Sequence, residues 1–106
     1  MNRTIKAAEL KPLVENRSAV VLDVRRKSDY DSDNARLPGA QWRDPEKIAE
    51  WSTSLPKDSD VVIYCVRGGS VSNSVVDHLQ ANGVRARFIE GGIEAWKSAG
   101  GETEPK

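Results

Sequence analysis

Asp60-Val61-Val62-Ile63-Tyr64-Cys65-Val66-Arg67-Gly68-Gly69-Ser70 is the stretch on which the fold turns. Its first half is a short, β-branched run without strict alternation of apolar and polar residues, the signature of a strand covered on both faces in a parallel sheet. A pair of glycines follows at once. Then comes a helical pattern from Val71 to Asn82, in which Val71, Val75 and Leu79 recur every four residues and Gly83 supplies the stop. A buried strand, a tight turn and an amphipathic helix make half of a strand–helix–strand unit. A parallel sheet with right-handed crossovers is therefore expected.

Working outward, Ala19-Val20-Val21-Leu22-Asp23-Val24 has the same character as the first strand, while Thr4-Ile5, Ala40-Gln41-Trp42 and Ala86-Arg87-Phe88-Ile89 are weaker strand candidates. Helical patterns lie between them. Ala7 to Asn16 carries Leu10, Leu13 and Val14 on one side, with Pro12 inside predicting a kink or a late start. Asp44-Pro45-Glu46 opens another, with a capping residue, Pro at the first helical position and an acid in the first turn, followed by Ile48 and Trp51. Strand and helix alternate throughout, which gives a single α/β domain over residues 1–99. Gly100 to Lys106, rich in Gly, Glu and Pro, reads as a disordered tail.

Composition agrees. Leu, Ile, Val and Phe supply 23 of 106 residues, and 16 basic residues balance 16 acidic ones, which is ordinary for one small globular domain and unlike a disordered chain. Balanced charge and the lack of a basic run argue against nucleic acid and against an anionic membrane as partners. One Cys and one His cannot build a disulfide framework or a zinc set. The start, Met1-Asn2-Arg3-Thr4-Ile5-Lys6, has no apolar signal region, and no segment approaches the roughly 20 apolar residues of a membrane span. A cytoplasmic monomer is expected.

In a parallel α/β sheet, ligands bind beyond the carboxyl ends of the strands. Cys65 stands there, before a glycine loop and the start of the clearest helix, whose unpaired N–H groups and positive dipole end form an anion cradle. Cys65 can be read as a small buried hydrophobe that finishes its strand, or as a nucleophile whose anionic sulfur the loop and Arg67 stabilise; the Gly-Gly loop favours the second. Asp23 and Arg25 end the other strong strand. They read as a pair that satisfies strand-end backbone groups, or as supports of the cysteine loop. His78 is taken as a helix surface residue and Trp96 as packing, whereas Trp42 and Trp51 can pack on the sheet or line a mouth. Arg25-Arg26-Lys27 and the run from Asp29 to Asp33 read as mostly solvated.

Leu22-Asp23-Val24-Arg25, Leu37-Pro38-Gly39-Ala40, Val62-Ile63-Tyr64-Cys65 with its glycine loop, and Glu90-Gly91-Gly92-Ile93-Glu94-Ala95-Trp96 occur in that order. Together they resemble the successive signatures of rhodanese-like domains, over about residues 4–99. The resemblance implies a five-stranded, mostly parallel sheet with helices on both faces, and a cysteine that carries sulfane sulfur as a persulfide. Phosphatases and arsenate reductases sharing this fold close a longer loop with Arg, where Val71 stands here, so phosphoryl chemistry is disfavoured. The loop, with a cation third and Ser70 sixth, is more similar to that of tandem-domain thiosulfate sulfurtransferases. Those enzymes carry a second Arg where Asp29 precedes Tyr30, which leaves Arg67 as the one strong cation expected at a thiosulfate site.

The expected activity is therefore sulfur transfer by double displacement, without metal or organic cofactor. Cys65 is the nucleophile, Val66, Arg67, Gly68, Gly69 and Ser70 bind the donor, and Asp23 and Arg25 support the site. Thiosulfate or a similar small donor loads the cysteine, and a thiol, cyanide or a protein accepts the sulfur. The rival expectation is a protein-fed carrier or regulatory module on the same cradle.

Overall fold

The computed structural model describes residues 3–105; Met1 and Asn2, which belong to the N-terminal stretch read above for a signal, and Lys106 of the tail lie outside them. The strands are β1 (Thr4–Ile5), β2 (Val20–Asp23), β3 (Ala35–Arg36), β4 (Gln41–Trp42), β5 (Asp60–Tyr64), β6 (Arg85–Ile89) and β7 (Glu104–Pro105). The helices are α1 (Ala7–Glu15), α2 (Lys27–Ser32), α3 (Ile48–Trp51), α4 (Ser70–Ala81) and α5 (Gly92–Ser98), with a 3-10 turn at Pro45–Lys47 leading into α3. Five strands form one parallel sheet in the order β1-β6-β5-β2-β4, the α/β architecture expected.

Both strong runs lie at the centre of that sheet, paired in register from Val20 opposite Val61 to Asp23 opposite Tyr64. Their side chains divide between two cores by the period of two. Val21, Val62 and Tyr64 pack with Leu10, Ile93 and Trp96 under α1 and α5, whereas Leu22, Val24, Val61 and Ile63 pack with Val75, Val76 and Leu79 under α4. Being covered on both faces explains why neither run alternates in polarity.

Helix α1 starts at Ala7 and continues through Pro12, so the late start expected there is not taken. Ala8 and Pro12 are both exposed, and water can satisfy the Ala8 carbonyl that Pro12 has no N–H to reach. At the other predicted start, Asp44 accepts from the Glu46 N–H at 3.0 Å, as its capping position requires.

The tail needs correction. Strand β7 pairs antiparallel with β3, Glu104 accepts from Arg36 and from the Gly39 N–H, each at 3.1 Å, and Trp96 Nε1 donates to the Glu102 carbonyl at 2.7 Å. Composition alone reads as disorder, but Trp96 is buried at the end of α5 and its indole N–H needs an acceptor, which the chain supplies by turning back.

Candidate active site at the Cys65 loop

Cys65 directly follows β5 and is 6% exposed, at the floor of an open pocket of about 530 Å³. The loop after it is shaped by the opposite side of the domain. The Ile93 N–H donates to the Cys65 carbonyl at 3.0 Å and the Glu94 N–H to the Val66 carbonyl at 3.2 Å, so the first turn of α5 holds two loop carbonyls. With those carbonyls engaged, none of the N–H groups of Val66, Arg67, Gly68 and Gly69 is paired with an acceptor among the described residues. They are left available as hydrogen-bond donors.

Two glycines make this approach feasible. Gly92, at φ 63°, lies so close beneath the loop that a Cβ would stand 2.4 Å from the Val66 oxygen and 2.5 Å from that of Cys65. Gly68, at φ 71°, would meet the Ile89 oxygen at 3.0 Å. The glycine pair of the distant Glu90-Gly91-Gly92 motif thus serves the cysteine loop through backbone contact.

The sequence reading missed the residue that contacts the sulfur. Ser72 is fully buried on α4, and its hydroxyl donates to Cys65 Sγ at 2.9 Å. The signal was present: the buried residues of α4 are Ser72, Val75, Val76 and Leu79, a complete helical stripe in which a serine is the exception. Ser70, the hydroxyl singled out from the sequence, is exposed at the pocket mouth.

Val66, Arg67, Gly69 and Ser70 line the pocket with Cys65; Gly68 lies in the loop between them. Arg67 is 80% exposed, and its Nε donates to Glu94 Oε2 at 2.8 Å, which turns the guanidinium toward α5. Val71 and, from the runs assigned to solvated surface, Arg26 and Asp29 complete the lining. Two arginines therefore border the pocket where one was expected.

Asp23 and Arg25 do not line it. Both are 1% exposed, and Arg25 Nη2 meets Asp23 Oδ2 at 2.6 Å while its Nη1 reaches Asp33 at 3.1 Å and Nη2 the Ala35 carbonyl at 2.9 Å. The guanidinium also lies 5.5 Å from the Tyr30 ring centre and 5.7 Å from that of Tyr64. Burial would lower the proton affinity of Arg25, but the hydrogen bond and charge of Asp23 outweigh it and the net shift is upward. Burial pushes the Tyr64 hydroxyl up, and the Asp23 charge adds to that, so Tyr64 stays neutral; it accepts from the Leu37 N–H at 3.3 Å. This lock ties the segment around β3 to the sheet end. With Trp42, whose Nε1 donates to the Arg25 carbonyl at 2.8 Å and whose ring stacks on Tyr30, it sets where α2 begins and hence where Arg26 and Asp29 stand.

His78 lies one turn from the end of α4, with Nε2 3.3 Å from Ser52 Oγ and outside the pocket lining. Trp51 donates to the Asp44 carbonyl at 2.8 Å and packs on the α4 side of the sheet. Among the described residues no group of three or more His, Cys, Asp and Glu side chains converges where a metal ion could sit, and no helix is long and apolar enough to cross a membrane.

Comparison with known proteins adds an independent finding. The family model described as Rhodanese-like domain matches residues 6–99. The chain is 32% identical over 99 residues to the thiosulfate sulfurtransferase GlpE of Coxiella burnetii, covering 92% of this chain and 90% of that protein. Among solved structures, a rhodanese-like domain protein from Staphylococcus aureus superposes with a TM-score of 0.81 at 31% identity, over 100% of this chain and 99% of that one. A rhodanese-related protein from Thermoplasma volcanium shares the fold with a TM-score of 0.85 at 24% identity, over 98% and 99% of the two chains.

Proposed function

This chain belongs to the rhodanese-like domain family, and on that premise we propose that it is a thiosulfate sulfurtransferase working through a Cys65 persulfide. The observation that carries the proposal is Cys65 at the floor of an open pocket, with the Ser72 hydroxyl on its sulfur and the N–H groups of the following loop without acceptors among the described residues. In the first step the Cys65 thiolate attacks the outer sulfur of thiosulfate. A new S–S bond forms, the S–S bond of thiosulfate breaks, and sulfite leaves with the electron pair. In the second, a thiol or cyanide attacks the outer sulfur of the persulfide and Cys65 returns as thiolate.

Anionic sulfur is present in both steps. Backbone N–H groups of the loop, without acceptors among the described residues, are the donors we assign to that charge. The Ser72 hydroxyl holds the Cys65 sulfur in place when the outer sulfur departs. Arg67, released in part from Glu94, and Arg26 across the pocket offer charge-assisted hydrogen bonds to the sulfonate oxygens. Asp23 and Arg25 act at one remove, by holding the start of α2.

The test is intact-mass measurement of unreduced protein before and after thiosulfate, then after cyanide. One sulfur atom is expected to be gained and then lost, and neither change is expected in Cys65→Ser. An unchanged mass, with Cys65 reduced and accessible to an alkylating reagent, would replace the thiosulfate enzyme with a carrier loaded by a protein.

A further inference from the structure

A thiosulfate ion is too small to fill the whole of the space that opens beside Cys65. A second hollow of about 260 Å³ adjoins the first, and Arg26, Ser70 and Val71 line both, so that the two form one groove. Its outer part is walled by Pro45 and Glu46 on one side and by Ser74 and Val75 of α4 on the other. Such dimensions suit an organic molecule of many atoms rather than a small inorganic ion.

The charges along the groove alternate. Arg26 stands at the junction of the two hollows, exposed and in no ion pair among the described residues, whereas Arg67 is tied to Glu94. Asp29 lines the inner hollow and Glu46 the outer. A polyanion would meet both carboxylates. A thiol that bears a carboxylate for Arg26 and an ammonium group for Glu46 matches the pattern, and Val71 and Pro45 give its carbon skeleton an apolar surface.

We propose that this groove is the subsite for the body of a zwitterionic organic thiol, the sulfur acceptor, and that Arg26 is the residue that selects it. The inference rests on the reading of Cys65 as a persulfide carrier. In the transfer, the acceptor thiolate bonds to the outer sulfur of the Cys65 persulfide, the S–S bond to Cys65 breaks, and its electron pair returns to Cys65. The acceptor leaves as a persulfide, with no net oxidation.

The acceptor step can be tested apart from the donor. Cys65 is loaded with inorganic polysulfide, excess reagent is removed, and loss of the added sulfur is followed by intact mass with glutathione, a zwitterionic thiol, or with uncharged N-acetylcysteamine. Taking the ratio of the two rate constants cancels changes in the persulfide itself. Arg26→Glu is expected to lower that ratio by about tenfold or more, and Arg26→Lys to keep it within about threefold of wild type. Ser74→Trp, which fills the outer hollow, is expected to slow both thiols relative to cyanide, an acceptor too small to need the groove. A ratio in Arg26→Glu within about twofold of wild type, or Ser74→Trp slowing cyanide as much as the thiols, overturns the assignment. Loading by polysulfide but not by thiosulfate removes only the donor proposed above and leaves this test standing; failure to load by either overturns both.

Discussion

Around Cys65, Ser72 and Arg67 are set for different tasks, and their substitutions should separate. Ser72 has no exposure and gives its hydroxyl to the sulfur, so Ser72→Ala removes a donor to the atom that carries negative charge in the proposed reaction, worth about 1.5–3 kcal/mol. Thiosulfate kcat/KM should fall roughly 10- to 150-fold, while melting temperature stays close to wild type because alanine suits a buried helix position. On the proposed reading Arg67 meets the donor's anionic end as a partly solvated guanidinium, and Arg67→Ala should lower thiosulfate kcat/KM by about 10- to 100-fold. An uncharged persulfide donor should suffer much less. With 80% of the side chain exposed, little packing is lost and thermal unfolding should barely move. Equal impairment of both donors would mean that Arg67 shapes the loop rather than binding the sulfonate. Hydrolysis of aryl phosphates should remain at background, because Val71 stands where a closing Arg would be.

Between elements, the decisive contact is backbone on backbone: the first turn of α5 against the loop after β5. Gly92→Ala places a methyl group within 2.5 Å of two carbonyl oxygens in a left-handed residue, and no flexible side chain is there to yield. The loop must move. We expect a loss of about 3 kcal/mol or more in urea unfolding, and a fall of about 100-fold in persulfide formation, because displacement of the cradle by about an ångström spoils its alignment. Gly69→Ala is the control within the same loop. No atom lies within 4 Å of a Cβ at Gly69, and its φ is −91°, so stability should change by less than about 1 kcal/mol.

At the scale of the whole molecule, Asp33 joins three parts of the chain: it accepts from Arg25 at 3.1 Å and from Lys97 of α5 at 2.8 Å, and from the Ala35 N–H at 3.0 Å. Burial alone would raise its carboxyl, but the Lys97 hydrogen bond, the Ala35 N–H and the two cations hold it below the ordinary carboxylate range. A lowered folded value means that the stabilisation is complete above the unfolded value of about 3.9 and disappears as pH falls through the folded one. Asp33→Asn should therefore be less stable than wild type at pH 7 by about 1–2 kcal/mol, with the gap closing in acid. Urea unfolding at a series of pH values checks this, and a gap that persists in strong acid would assign the loss to packing.

The central strands, the α4 helix, the α/β class and the cysteine at a strand end are legible in the amino-acid sequence itself, because periods of two and of about four residues are local properties that burial imposes directly on the chain. Ser72 is nearly legible too. Following Val71, Val75 and Leu79 alone passes over the wider stripe to which it belongs, and so misses the hydroxyl on the sulfur. Other features are not written locally. Arg25 and Arg26 are adjacent and alike in sequence, yet one is buried against Asp23 and the other borders the pocket, since the chain leaves β2 and turns into α2 between them. The tail looks disordered by composition and is held by Trp96, Arg36 and β3. In each of these cases the environment of the side chain comes from an element far away in sequence, and only the crossing of those elements in space decides whether a charge meets water, a counterion or a substrate.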